Sequence, residues 1–108
     1  MSFRIVITDS FRRPGKRLGK KFVSFKADFA ALLDELEADP QTGEPLGRDC
    51  YKVRMSITAK GKSGGARVIT CVKVVGKIVF LLTIYDKSEQ DSISDKERDD
   101  LLRENGLL

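Results

Sequence analysis

Apolar positions along this chain change their period more than once. In Phe3-Arg4-Ile5-Val6-Ile7-Thr8 they alternate, with Phe3, Ile5 and Ile7 on one side, which predicts a first strand. Arg12 to Lys21 is polar and contains Pro14, Gly15 and Gly19, so it reads as a basic loop or the frayed start of a helix. Phe22, Phe25, Phe29, Leu32, Leu33 and Leu36 then recur at helical spacing, with Asp28, Asp34, Glu35 and Glu37 off the stripe. Such a stripe is core rather than a ligand site. Asp39-Pro40 stops the helix, and Gln41 to Gly47 reads as a loop.

From Tyr51 the period becomes two. Tyr51, Val53, Met55 and Ile57 point one way, Lys52, Arg54 and Ser56 the other. A cationic, glycine-rich connection follows, Lys60-Gly61-Lys62-Ser63-Gly64-Gly65. Ala66–Val74 and Lys77–Tyr85 are nearly continuous apolar, β-branched runs joined at Val75-Gly76, which predicts a hairpin of buried strands. Ser94-Asp95-Lys96-Glu97 is a capping box opening a short helix, and Asn105-Gly106 is its stop. The expected fold is one α+β domain over residues 1–108: a mainly antiparallel, four-stranded sheet with an N-terminal helical segment and a short C-terminal helix, helix packing on one face.

With 108 residues the chain can bury one compact core. No apolar run reaches the ~18 residues of a membrane span, and Met1-Ser2-Phe3-Arg4 does not open a signal peptide, so a cytoplasmic protein without membrane contact is expected. The chain has no histidine, which excludes Ser-His-Asp and Cys-His catalysis and histidine-bearing metal sites. Cys50 and Cys71 have no CxxC partner and read as reduced core thiols. No metal and no small-molecule cofactor is expected.

The net charge of +4 hides a segregation. Residues 1–26 set eight cations against Asp9, and residues 50–87 set eight against Asp86, while residues 27–49 and 88–108 are acidic. Two basic blocks suggest a face that attracts polyanions, with Arg12 and Arg13 in the first and Lys60 and Lys62 in the second as candidate nucleic-acid contacts. Gly61-Lys62-Ser63 looks like the end of a P-loop, but Ser56 stands where that motif needs glycine and a strand follows in place of a helix. Lys52 and Arg54 are the sharper signal, sharing a strand face with roots ~6.6 Å apart. Arg67 opens the neighbouring strand, and Tyr85 and Lys87 end the next. Cations converging there can grip a phosphate; charges on a solvated outer face are the plain alternative.

Cys50-Tyr51-Lys52-Val53-Arg54, the K-G-K-x-G-G-x-R-[VI]-I run from Lys60 to Ile69 and the L-L-x-I-Y-x-K-x-E run from Leu81 to Glu89, with a Ser/Asp-rich turn into a helix, resemble the RelE/HigB toxin family, nearest its HigB-type branch. The resemblance covers about residues 25–104. It implies a microbial-ribonuclease-like fold and the toxin of a bacterial type II toxin–antitoxin system, which cleaves mRNA on the ribosome without metal and is silenced by a cognate antitoxin. Lys52 and Arg54 match the family's basic pair, Arg67 its strand arginine, and Lys87 the Y-x-K stretch. Where RelE proper has an arginine after that lysine and a tyrosine in its tail, this chain has Ser88 and Ile93-Ser94, so the resemblance assigns no general acid.

Cleavage by an internal 2′-hydroxyl suits a chain without histidine. Lys52 among cations could approach base strength, Arg54 and Arg67 offer forked donors for phosphate oxygens, and Tyr85 could stack a base or serve the core. Two other readings stand beside this one: a ParE-like inhibitor of DNA gyrase, which needs no Lys52/Arg54/Arg67 cluster, and a degenerate RNA-binding relative.

Overall fold

The structure, a computed structural model, describes residues 3–61 and 64–108. Five strands form one sheet: β1 (Arg4–Ile7), β2 (Glu44–Gly47), β3 (Cys50–Met55), β4 (Ala66–Lys73) and β5 (Ile78–Asp86), in the order β1-β5-β4-β3-β2. The helices are α1 (Asp9–Lys21), α2 (Phe25–Ala38) and α3 (Asp95–Glu104). A 3-10 turn spans Thr58–Lys60.

The sheet departs from the four antiparallel strands expected. β1 lies parallel to β5, with Arg4 opposite Ile78 and Ile7 opposite Leu81, so the sheet is mixed. That pairing spans most of the chain and leaves no local trace. β2 is the fifth strand, in a segment read as a loop. Its Pro45 and Gly47 mask it, yet Pro is tolerated at a sheet edge, and the ladder shifts register between them. Arg48 and Asp49, both at positive φ, form the two-residue turn into β3, the primed geometry that suits a tight hairpin.

The basic stretch read as a loop or a frayed helix start is helix. Phe11, Gly15 and Leu18 are the buried positions of α1, spaced to fall on one stripe, and their burial overrides the poor propensity of Pro14, Gly15 and Gly19. Gly15 also admits the Phe11 ring, which a Cβ there would meet at 2.8 Å. The stripe from Phe22 is interrupted: α1 ends at Lys21, and Phe22–Ser24 links it to α2. Phe11, Phe29 and Phe25 stack in series with centroids 5.6 Å apart, tying the two helices together.

Helices cover both faces of the sheet, where one was expected. On the first face Val53, Met55, Ile57, Val68, Leu81 and Ile84 pack with Leu18, Leu32 and Leu36 of α1 and α2. On the second, Cys50, Ile69, Cys71, Leu82 and Tyr85 pack with Leu102 of α3. Cys50 and Cys71, facing each other across β3 and β4, are buried and free, as read. α3 starts at the predicted capping box: Ser94 Oγ accepts from Glu97 N, and Ser94 N donates to Glu97 Oε1, both at 3.1 Å. No helix among the described residues is long and apolar enough to cross a membrane.

Gly65 fixes the approach of the glycine-rich connection to β3. It sits at φ +62, and a Cβ would come within 2.3 Å of the Met55 carbonyl oxygen. Gly106, at φ +70 past the end of α3, has open space around it. Gly65→Ala is therefore expected to lower the unfolding free energy by well over 2 kcal/mol, because main chain must move as well as twist, whereas Gly106→Ala costs about 1 kcal/mol. Urea denaturation of the two variants measures the difference.

Candidate RNA-cleavage site

The alternation of β3 carries Lys52 and Arg54 to the second face, away from Val53 and Met55. Register then builds a row: Arg54 lies opposite Arg67 on β4, and Arg67 opposite Tyr85 on β5. Lys52 stands one pair along, opposite Ile69, and Lys87 follows the end of β5. Like charges placed directly across a ladder destabilise it. Arg54 and Arg67 are so placed, and neither meets a carboxylate among the described residues.

Arg67 is only 8% exposed, and its Nη1 donates to the carbonyls of Gly64 and Ala66 at 2.8 and 3.0 Å. The guanidinium is thus aimed by main chain, with its charge left for another anion. Arg54 is exposed, just beyond the stretch of β3 that β2 covers. Lys52 is half-buried; its Nζ lies 3.3 Å from Glu44 Oε2 and donates to Ser92 Oγ at 3.3 Å, so a carboxylate as well as cations faces it. Tyr85 is buried and its hydroxyl donates to the Asp91 carbonyl at 3.2 Å; burial pushes its phenol pKa up against the pull of Arg67. Lys87 pairs with Asp91.

The other candidates fall elsewhere. Lys60 is turned inward, with its Nζ 2.6 Å from Asp86 Oδ1 and 3.3 Å from the Gly65 carbonyl. Lys62 lies outside the described residues. Arg12 and Arg13 stand in an exposed strip along α1 with Lys16, Arg17 and Lys20, apart from the row on β3 and β4. Among the described residues no group of three or more Cys, Asp or Glu side chains is set to hold a metal ion.

Two carboxylates that sequence reasoning passed over organise this region. Asp86, 1% exposed, accepts from Lys60, from Lys21 Nζ at 3.1 Å, and from the Ser88 N–H and hydroxyl at 2.9 and 2.7 Å. Burial alone would raise its pKa, but the Lys60 ammonium, the Ser88 donors and Lys21 outweigh that and hold it far below the carboxylate range. Asp28 clamps the other end of the same connection, accepting from Thr58 N at 2.8 Å and Thr58 Oγ1 at 2.7 Å. Burial opposes its ionisation too, yet the Thr58 and Ser24 hydroxyls bring its pKa below normal. The only sequence trace of Asp86 was its standing as the lone acid within the second basic block.

A mixed five-stranded sheet with three helices, carrying a cluster of cations in which Arg54 and Arg67 meet no carboxylate among the described residues, defines a small α+β protein. The profile of the family described as "RelE toxin of RelE / RelB toxin-antitoxin system" matches residues 19–105, and the chain belongs to that family. Its fold is similar to a free-state mutant of the Escherichia coli toxin RelE (TM-score 0.65, 16% identity, covering 96% of this chain and 98% of that one). It is also similar to chains of the RelBE2 toxin–antitoxin complex of Mycobacterium tuberculosis (TM-score 0.61, 18% identity, 80% of this chain and 99% of that) and of the intact E. coli RelBE complex (TM-score 0.61, 18% identity, 79% and 96%).

Because Asp86 titrates below the ordinary 3.8, its contribution is complete above about pH 5 and is lost as acid protonates it. Asp86→Asn replaces the carboxylate shared by Lys21 and Lys60 with a neutral amide and should lower stability at pH 7 by roughly 3 kcal/mol. The gap to the parent protein should narrow as pH falls from ~5 to ~2. Denaturant titrations across that range check both statements.

Proposed function

We propose that this chain is the toxin of a bacterial type II toxin–antitoxin pair and an endoribonuclease that cuts mRNA on the ribosome, in the cytoplasm, without metal or cofactor. The observation that carries the reading is the Arg54–Arg67 pair: two guanidiniums set opposite each other on adjacent strands, costing stability and meeting no carboxylate among the described residues. The family supports a toxin, and the glycine-rich and Y-x-K motifs support a reading nearest the HigB-type branch.

In this reading the message supplies its own nucleophile. The 2′-oxygen attacks the adjacent phosphorus, the bond to the 5′-oxygen breaks, and the fragments carry a 2′,3′-cyclic phosphate and a 5′-hydroxyl. Arg54, Arg67 and Lys87 stabilise the extra negative charge on the phosphoryl oxygens, Lys52 in its neutral form takes the 2′-hydroxyl proton once RNA has displaced Glu44, and water protonates the leaving 5′-oxygen. Tyr85, held by its hydroxyl and the core, forms the floor. The strip Arg12, Arg13, Lys16 and Lys20 contacts nucleic-acid backbone away from the cut, with Lys62 contributing from the connection. Lys60 serves this surface through the connection it anchors. The chain's similarity to members of toxin–antitoxin complexes supports a cognate antitoxin as its protein partner.

Expression of the chain alone should arrest translation and leave new 5′ ends within translated messages, read by primer extension. Lys52→Ala with Arg54→Ala should abolish those ends without unfolding the protein, since neither side chain belongs to either apolar core. Arg67→Lys, which keeps the charge and loses the fork, should slow cleavage about a hundredfold. Intact messages beside inhibited supercoiling would transfer the assignment to a gyrase inhibitor.

A further inference from the structure

Segment 91–92 lies across the cations assigned to phosphate. The Asp91 carboxylate pairs with Lys87 Nζ. Its main-chain carbonyl accepts from the Tyr85 hydroxyl, and the next residue's Oγ accepts from Lys52 Nζ. Lys87 holds the Asp91 carboxyl below its usual range. Yet Asp91 is 85% exposed on its side chain and Lys87 33%. Such a pair gives less than about a fivefold bias and yields to a competing anion. Glu44, 63% exposed beside Lys52, is placed the same way at the edge of the site.

We infer that Asp91 is an internal stand-in for phosphate: its carboxylate pairs with Lys87 at the edge of the anion subsite that Lys87 would form with Lys52 and Arg67, and an incoming RNA phosphate must displace it. As a statement about RNA this rests on the function proposed above; as a statement about an anion subsite it does not. The free protein thereby keeps its cations partly neutralised, and a message is gripped only where other contacts favour opening the pair. The short reach from Tyr85 to Asp91 makes the exchange local, since the carbonyl hydrogen bond can persist while the carboxylate swings out.

The test uses the full chain and sulfate as the probe, at constant ionic strength, with affinity read from amide chemical shifts of residues 85–92. Asp91→Asn should bind sulfate about tenfold more tightly than the parent, from loss of the competing pair and of like-charge repulsion. Asp34→Asn, the same charge change on the exposed side of α2, should leave the affinity within twofold. Adding Lys87→Ala to Asp91→Asn should remove the gain. A gain equal to that of Asp34→Asn, or one that survives without Lys87, overturns the inference. Message cleavage by the parent protein separates the two readings. A sulfate gain without cleavage keeps the subsite and removes the nuclease; cleavage without the gain keeps the nuclease and removes the role of Asp91.

Discussion

A buried carboxylate with two lysines joins the parts of this molecule that the rest depends on. Asp86 ends β5, Lys21 ends α1, and Lys60 begins the glycine-rich connection, and their ionic contacts bring three chain segments to one point. Both ammonium groups also lie over the Phe22 ring, at 5.2 and 5.8 Å, where α1 gives way to α2. A group so buried is tolerated only because its lone pairs are filled from several sides. The consequence reaches the site. With Lys60 fixed, the Gly65 carbonyl accepts from Lys87 N, and the Gly64 and Ala66 carbonyls aim Arg67.

The charges around Asp86 and those around Arg67 obey opposite rules. Around Asp86 each cation has its anion, and the cluster is closed to further chemistry. Around Arg67 the main chain supplies acceptors but no charge, and β3 sets Arg54 directly across. A fold selected for stability alone has no use for that juxtaposition. The cleavage site proposed for this chain would have one, because donors for a dianionic phosphorane are then in place before charge develops. The first cluster rigidifies the platform on which the second stands.

Period-two alternation was enough to put Lys52 and Arg54 on one face of β3, and the buried runs announced β4 and β5. The direct Arg54–Arg67 pairing was not legible, since it comes through a hairpin register set across the glycine-rich connection. α1 was hidden because Pro14, Gly15 and Gly19 weaken local propensity, and only burial of Phe11 and Leu18 restores the helix. β1 and β2 depend on partners far along the chain or on an edge that tolerates proline. The inward turn of Lys60 was equally invisible: its anion is 26 residues away, and Lys21's is 65. Charge counts treat such lysines as surface, and only tertiary structure sorts anchoring cations from binding ones.

The most direct measurement is cleavage of a ribosome-bound message carrying a single 2′-deoxy nucleotide immediately 5′ of the scissile phosphate, with the products' ends identified. If the cation row activates the message's own 2′-oxygen, the unmodified message yields a 2′,3′-cyclic phosphate and a 5′-hydroxyl, and the deoxy message is not cut at that bond. Equal cleavage of both messages at that position would contradict it.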